Sequence, residues 1–150
     1  MKWVTQERPV IDRIACPWLI ARFIDKQPEF LFVPPDQVGQ VAKQTGATPY
    51  DIPGVDLTHV GEGCSFDSFL AKYELGNDPA LATIAAIVRG ADTDRHDLTP
   101  QSAGLLAISM GLRDLSPDDH EVLKHGFVIY DALYAWASRR KMERHSWPPR

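Results

Sequence analysis

The sequence predicts an α+β fold, a small sheet from the N-terminal half covered by a helical C-terminal half, and three observations predict it. The runs that read as strands, rich in β-branched and aromatic residues, all lie before Gly61. The second half carries Asp78-Pro79, Thr99-Pro100 and Ser116-Pro117, each a capping side chain before a proline suited to the first helical position. Strands followed by a run of helices, rather than alternating with them, mark α+β.

Trp3-Val4-Thr5 and Phe30-Leu31-Phe32-Val33 read as strands, the second stopped by Pro34-Pro35. Between them Ile11, Ile14, Ala15, Trp18, Leu19 and Phe23 recur at helical spacing around Pro17. Proline removes a donor and disfavours α geometry in the residue before it, so the reading places a fresh helix start at Pro17 with Cys16 as N-cap. Residues 36–46 predict a short helix ended by Gly46, and Thr48 to Ile52 and Val55 to Val60 predict strands separated by the turn Pro53-Gly54. Ser65 is the expected cap of a helix through Phe66, Phe69, Leu70 and Tyr73, with Asp67 in its first turn where the helix dipole favours an acid. Leu81, Ile84, Ala85 and Val88 form one face of the next helix, which is expected to stop at Gly90. Leu105, Leu106, Ile108 and Leu112 supply another, and Val122, Ile129, Leu133 and Trp136 a longer one reaching Arg139.

A chain of 150 residues, 44% hydrophobic and 24% charged, suits one folded domain, expected over 1–138 and followed by a basic, flexible tail over 139–150. The net charge of -4 and the pI near 5.7 do not suit a surface that must cover phosphates. Positive charge gathers in Arg139, Arg140, Lys141 and Arg144, which predicts at most sequence-independent binding to DNA. The N-terminus has no signal-like apolar core, and no run reaches the eighteen or so apolar residues of a membrane span, so a cytoplasmic protein without membrane association is expected. In that setting Cys16 and Cys64 are expected to stay unpaired.

Chemistry concentrates in three places. Arg89-Gly90-Ala91-Asp92-Thr93-Asp94-Arg95-His96-Asp97 brings carboxylates close enough to repel one another unless a cation, arginines or water offset the repulsion. Asp92 and Asp94 open like a calcium loop, but Asp97 stands where its glycine belongs and no glutamate closes it. What remains is a pair of hard oxygen ligands able to join a histidine around Mn, Fe or Zn, or to pair with Arg89 and Arg95 in a plain ion network. His59-Val60-Gly61-Glu62-Gly63-Cys64 offers His59 and Glu62 as further metal ligands, against the alternative of a histidine merely bonded to backbone. Cys16, at a helix start, and Cys64 are candidate reactive thiols, against the alternative of small buried hydrophobes. Asp131 falls in an apolar helix and must be paired; Arg13, Arg89 and Arg95 are the candidates, with Asp131 and Arg89 the ion pair expected. No Walker loop, Gly-x-Gly-x-x-Gly, Gly-x-Ser-x-Gly or His-Glu-x-x-His occurs.

Several long runs resemble the C-terminal domain of ChrB-type chromate resistance proteins. They are Val10 to Ile20, Ile52-Pro53-Gly54-Val55 with Leu57-Thr58-His59, Cys64-Ser65-Phe66-Asp67, Ile87 to Arg95, and Tyr130-Asp131-Ala132-Leu133-Tyr134-Ala135-Trp136. The resemblance implies bacterial chromate resistance, in which such proteins accompany a chromate efflux transporter and longer members act as chromate-responsive regulators. The N-terminal portion of those longer members has no counterpart here, so specific DNA binding by this chain is not expected. The leading expectation is a metal or oxyanion site built from His59, Glu62, Asp92 and Asp94, with Arg13 and Arg95 as donors to chromate or another small oxyanion. The rival is an enzyme, either Mn- or Fe-dependent or working through Cys16 or Cys64, that reduces chromate or protects against oxidative damage. A non-catalytic interaction domain is the third reading, and homo-oligomerisation is left open.

Overall fold

Strand β1 (Lys2–Gln6) lies between β2 (Glu29–Val33) and β3 (Thr48–Pro49) in a three-stranded, wholly parallel sheet of order β2-β1-β3. The computed structural model describes residues 1–148. Parallel neighbours need crossover connections. The first is helix α1 (Asp12–Leu19) running into a π-helical turn (Ile20–Ile24); the second is a 3-10 turn (Pro35–Gln37) and helix α2 (Val38–Thr45), ended by Gly46 in the left-handed conformation. Period-two alternation along β1 divides the core. Trp3 packs on Phe69 and Tyr73 on the side of the large helical layer, whereas Val4 meets Val38 and Ala47 of the α2 side.

The helical layer comprises α3 (Ser65–Lys72), α4 (Pro79–Ala91), α5 (Ser102–Leu115) and α6 (Asp119–Arg139). Trp18, Phe66, Tyr130, Leu81 and Ile84 are fully buried among these helices and α1. Each such burial contributes roughly 1.5–3 kcal/mol. Two glycines set how closely helices approach. A Cβ at Gly126 of α6 would overlap Ile14 of α1, and one at Gly90 of α4 would collide with Ser102 of α5. Gly90 therefore serves close packing rather than ending its helix, which continues to Ala91.

Several local expectations are corrected. Pro17 does not start a helix; it sits inside α1, which begins at Asp12, and Cys16 is therefore no N-cap. The helix starts early because the Asp12 carboxylate is held by amides of α3, and the chain leaves the proline by widening into the π-helical turn. Residues 55–60 form bends rather than a strand, with only an isolated bridge from Val60 to Gly63, and the strand after α2 is only Thr48–Pro49. The N-cap of α3 is Cys64, whose backbone N–H donates to Asp67 Oδ2 at 2.9 Å. Asp78 caps α4 as expected, donating no proton but accepting from Ala80 and Leu81. The other two starts shift by two residues: Gln101 precedes α5, and Asp118 caps α6 by accepting from His120. Among the described residues no helix is long and apolar enough to cross a membrane.

Candidate metal centre

Four elements deliver one side chain each to a common point. Asp12 opens α1, Asp51 follows β3, His59 precedes α3 and Asp92 is the C-cap of α4. His59 Nε2 lies 2.9 Å from Asp92 Oδ2, 3.3 Å from Asp12 Oδ2 and 3.4 Å from Asp51 Oδ1. One ligand atom from each residue lies within 4.8 Å of all the others. Asp12 is completely buried and His59 is 38% exposed, so the cluster has a closed floor and an open side.

The floor is rigidly held. Ser65 N donates to Asp12 Oδ2 at 2.8 Å and Phe66 N to Asp12 Oδ1 at 3.2 Å, so the α3 N-terminus presents its free amides to a carboxylate. Ser65 Oγ donates to Asp51 Oδ1 at 2.6 Å. Arg13 Nε lies 3.9 Å from Asp51 Oδ2 and is buried without a hydrogen-bond partner. Two backbone positions here adopt positive φ without being glycine, Ile11 at 47° and Asp51 at 54°. For a β-branched residue such as Ile11 this is a strained conformation, which persists only where surrounding structure enforces it.

Burial pushes the Asp12 carboxyl up to about 8 against the opposing hydrogen bond from His59, and the Asp92 and Asp51 charges push the same way as burial. His59 is pushed up to about 12, by Asp12 first and then by Asp51 and Asp92. Both shifts express one fact: three carboxylates and an imidazole hold a proton tightly among them.

His59 and Asp92 are thus brought together as the sequence predicts. Glu62 and Asp94 stay outside the cluster and line an adjoining cleft of about 400 Å³ with His59, Arg89, Arg95 and the glycines Gly61 and Gly63. Arg95 reaches that cleft, while Arg13 instead sits beside Asp51. The expected pairing of Arg89 with Asp131 does not occur. Arg89 forms a fork on Asp67 (2.6 and 2.9 Å), and Asp131 accepts from Arg22 (2.9 and 3.0 Å) and from Trp18 Nε1 at 2.8 Å. Both thiols are buried; burial foremost, then the Asp12 charge, pushes Cys16 and Cys64 well above the ordinary range. A protonated, enclosed thiol is a poor nucleophile, and Cys16 lacks the helix-terminal setting that would activate it.

Asp12 and Asp51 escaped the sequence reading. Asp12 carried a usable signal, an acid flanked by Ile11, Ile14 and Ala15, which must be paired if that face is buried. Asp51 carried none, lying in a stretch that reads as strand.

Compared with known proteins, residues 3–137 match the family model described as ChrB, C-terminal domain. Protein ChrB of Cupriavidus metallidurans is 32% identical over 141 residues, which cover 93% of this chain and 42% of that relative, so the chain spans less than half of the relative's length. No solved structure matches the chain. The family match takes in all four converging side chains, and the chain belongs to the ChrB C-terminal domain family.

Proposed function

We propose that Asp12, Asp51, His59 and Asp92 hold one divalent cation and that this centre serves the chromate-resistance role with which the ChrB family is associated. The observation that carries the reading is the convergence of four ligand atoms, from four separate elements, on a partly buried point. Three carboxylates around a protonated imidazole carry two negative charges; a divalent cation that displaces the proton leaves one, which Arg13 balances. Oxygen-rich ligation with a single imidazole and no thiolate suits Mn, Fe(II) or Zn. A bound cation supplies a Lewis acid on the open side of the cluster.

The protein's own part is positioning. Amides of α3 orient Asp12, the Ser65 hydroxyl orients Asp51, and the exposed edge of His59 leaves the cation open to an oxyanion such as chromate. Carboxylates alone would repel such an anion, whereas a cation among them offsets the repulsion and offers the anion a direct ligand position. The reading comprises sensing or detoxification of the oxyanion in the cytoplasm, without specific DNA binding by this chain. A redox role for Mn or Fe would use the same four residues; a thiol-based one is disfavoured by the burial of Cys16 and Cys64.

Elemental analysis of protein purified without chelators, followed by calorimetry with Mn, Fe(II) and Zn, tests the proposal. One ion per chain is expected, with affinity reduced about tenfold or more by His59→Ala. A wild-type chain that takes up none of these ions ends the reading.

A further inference from the structure

The cleft beside the cluster is larger than a bare tetrahedral oxyanion needs. A water molecule claims about 30 Å³ in the liquid, so an anion of four oxygens fills only a few such shares. The cleft measures about 400 Å³, within the roughly 300–1,000 Å³ typical of small-molecule sites. Its charges are also mixed: Arg89, forked on Asp67, and Arg95, whose Nε lies 3.3 Å from Asp97 Oδ1, on one hand, and Glu62 and Asp94 on the other. A simple dianion that reached the arginines would face two uncompensated carboxylates. A ligand carrying both signs complements all four, using the donors that the arginines leave free beside Asp67 and Asp97.

From this lining we infer that the cleft binds a small zwitterion of the amino-acid or short-peptide class, its carboxylate on the arginines and its ammonium on Glu62 and Asp94. Arg89 is prepared for the task. Its Nε and Nη2 are fixed on Asp67, which holds the guanidinium in place and leaves Nη1 for a ligand. The turn carrying Arg95 is braced as well, since Thr93 Oγ1 donates to Arg89 O at 2.8 Å and accepts from Arg95 N at 3.2 Å. In the same lining Gly61, at φ 60°, allows the backbone a conformation that a side chain would strain. This inference goes beyond the metal reading and rests on the cleft's lining alone.

Nitrogen-15 NMR titration of the full chain, metal-free and zinc-loaded, tests it with the proteinogenic amino acids and glycylglycine as probes, and acetate, ethylamine and sulfate as singly signed controls. Saturable shifts at the Gly61 and Gly63 amides are expected for at least one zwitterion at probe concentrations of about 10 mM or below. Arg95→Ala and Glu62→Ala, both changes at exposed positions, should each weaken that binding about tenfold, and each singly signed control should bind at least about tenfold more weakly than the zwitterion. Sulfate binding as well as or better than every zwitterion overturns the inference, as do shifts confined to other surfaces or indifference to both substitutions. Zinc uptake without zwitterion binding would sink this inference and leave the metal proposal standing; zwitterion binding without zinc uptake would do the reverse.

Discussion

The floor and the rim of this site contain the same kind of residue in opposite circumstances. On the floor, Asp12 is fully enclosed, accepts two backbone N–H groups and closes on His59; on the rim, Asp94 is solvent-exposed and outside the cluster. An aspartate in water has its charge solvated and is free to move. One enclosed among helix amides has its position fixed in advance and its charge left to be balanced from within the site. Local density of acids therefore says less about where an ion would sit than the depth at which each acid is held.

Removing one acid from each place gives the strongest test of that contrast. Asp12→Ala should reduce divalent-metal affinity about a hundredfold and, by orphaning the Ser65 and Phe66 amides, destabilise the fold by about 1–3 kcal/mol in urea denaturation. Asp94→Ala should change both within error. Equal losses in the two variants would erase the distinction between floor and rim.

A smaller effect should separate the floor's support from an ordinary half-buried hydroxyl. Ser65→Ala removes the donor to Asp51 and should weaken metal binding about tenfold, read by calorimetry. Ser68→Ala removes a hydroxyl that donates at 2.6 Å to Thr58 O and should leave affinity unchanged. If both serines matter alike, orientation of Asp51 is not what Ser65 supplies.

The smallest expected effect concerns acid pH. Burial opposes ionisation of Asp67, yet the Arg89 fork and the Cys64 amide hold its carboxyl below the ordinary 3.8. Its folded value is thus depressed, so its contribution is fully present above the unfolded value and is lost as pH falls below about 4 through the folded value. Chemical denaturation between about pH 5 and 2 should show a shallower loss in Asp67→Asn than in wild type, because wild type alone has this contribution to lose. Identical slopes would mean that the Asp67–Arg89 fork adds nothing to stability.

Much of the architecture was legible because it follows from local chemistry. β1, β2 and the five helices α2 to α6 all fall within the stretches that composition, end signals and apolar spacing mark out, with α5 and α6 starting two residues late, and Asp78 caps α4. The errors are tertiary in origin. Pro17 reads locally as a helix start, but the contact between Asp12 and α3 draws the start forward. The stretch 55–60 has strand-like composition but no neighbour to pair with along its length, and becomes bends. Half of the four-residue cluster, His59 and Asp92, announced itself through crowding of ligand-type side chains. Asp12 and Asp51 did not, since what recruits them is the three-dimensional meeting of α1, α3 and the turn after β3. Asp131 has a partner, Arg22 of the π-helical turn, but its side chain is 47% exposed, so the burial from which a partner was expected is absent.

Gly90 shows how far the geometry of the site reaches into the core. It lies two residues before Asp92, and its missing side chain lets α5 pass at the distance set by Ser102. A methyl group there would force α4 and α5 apart, and the end of α4 would swing like the tip of a lever while the Asp92 carboxylate moved with it. The spacing of two helices is in this way a calibration of the site, written in a residue that offers it no ligand.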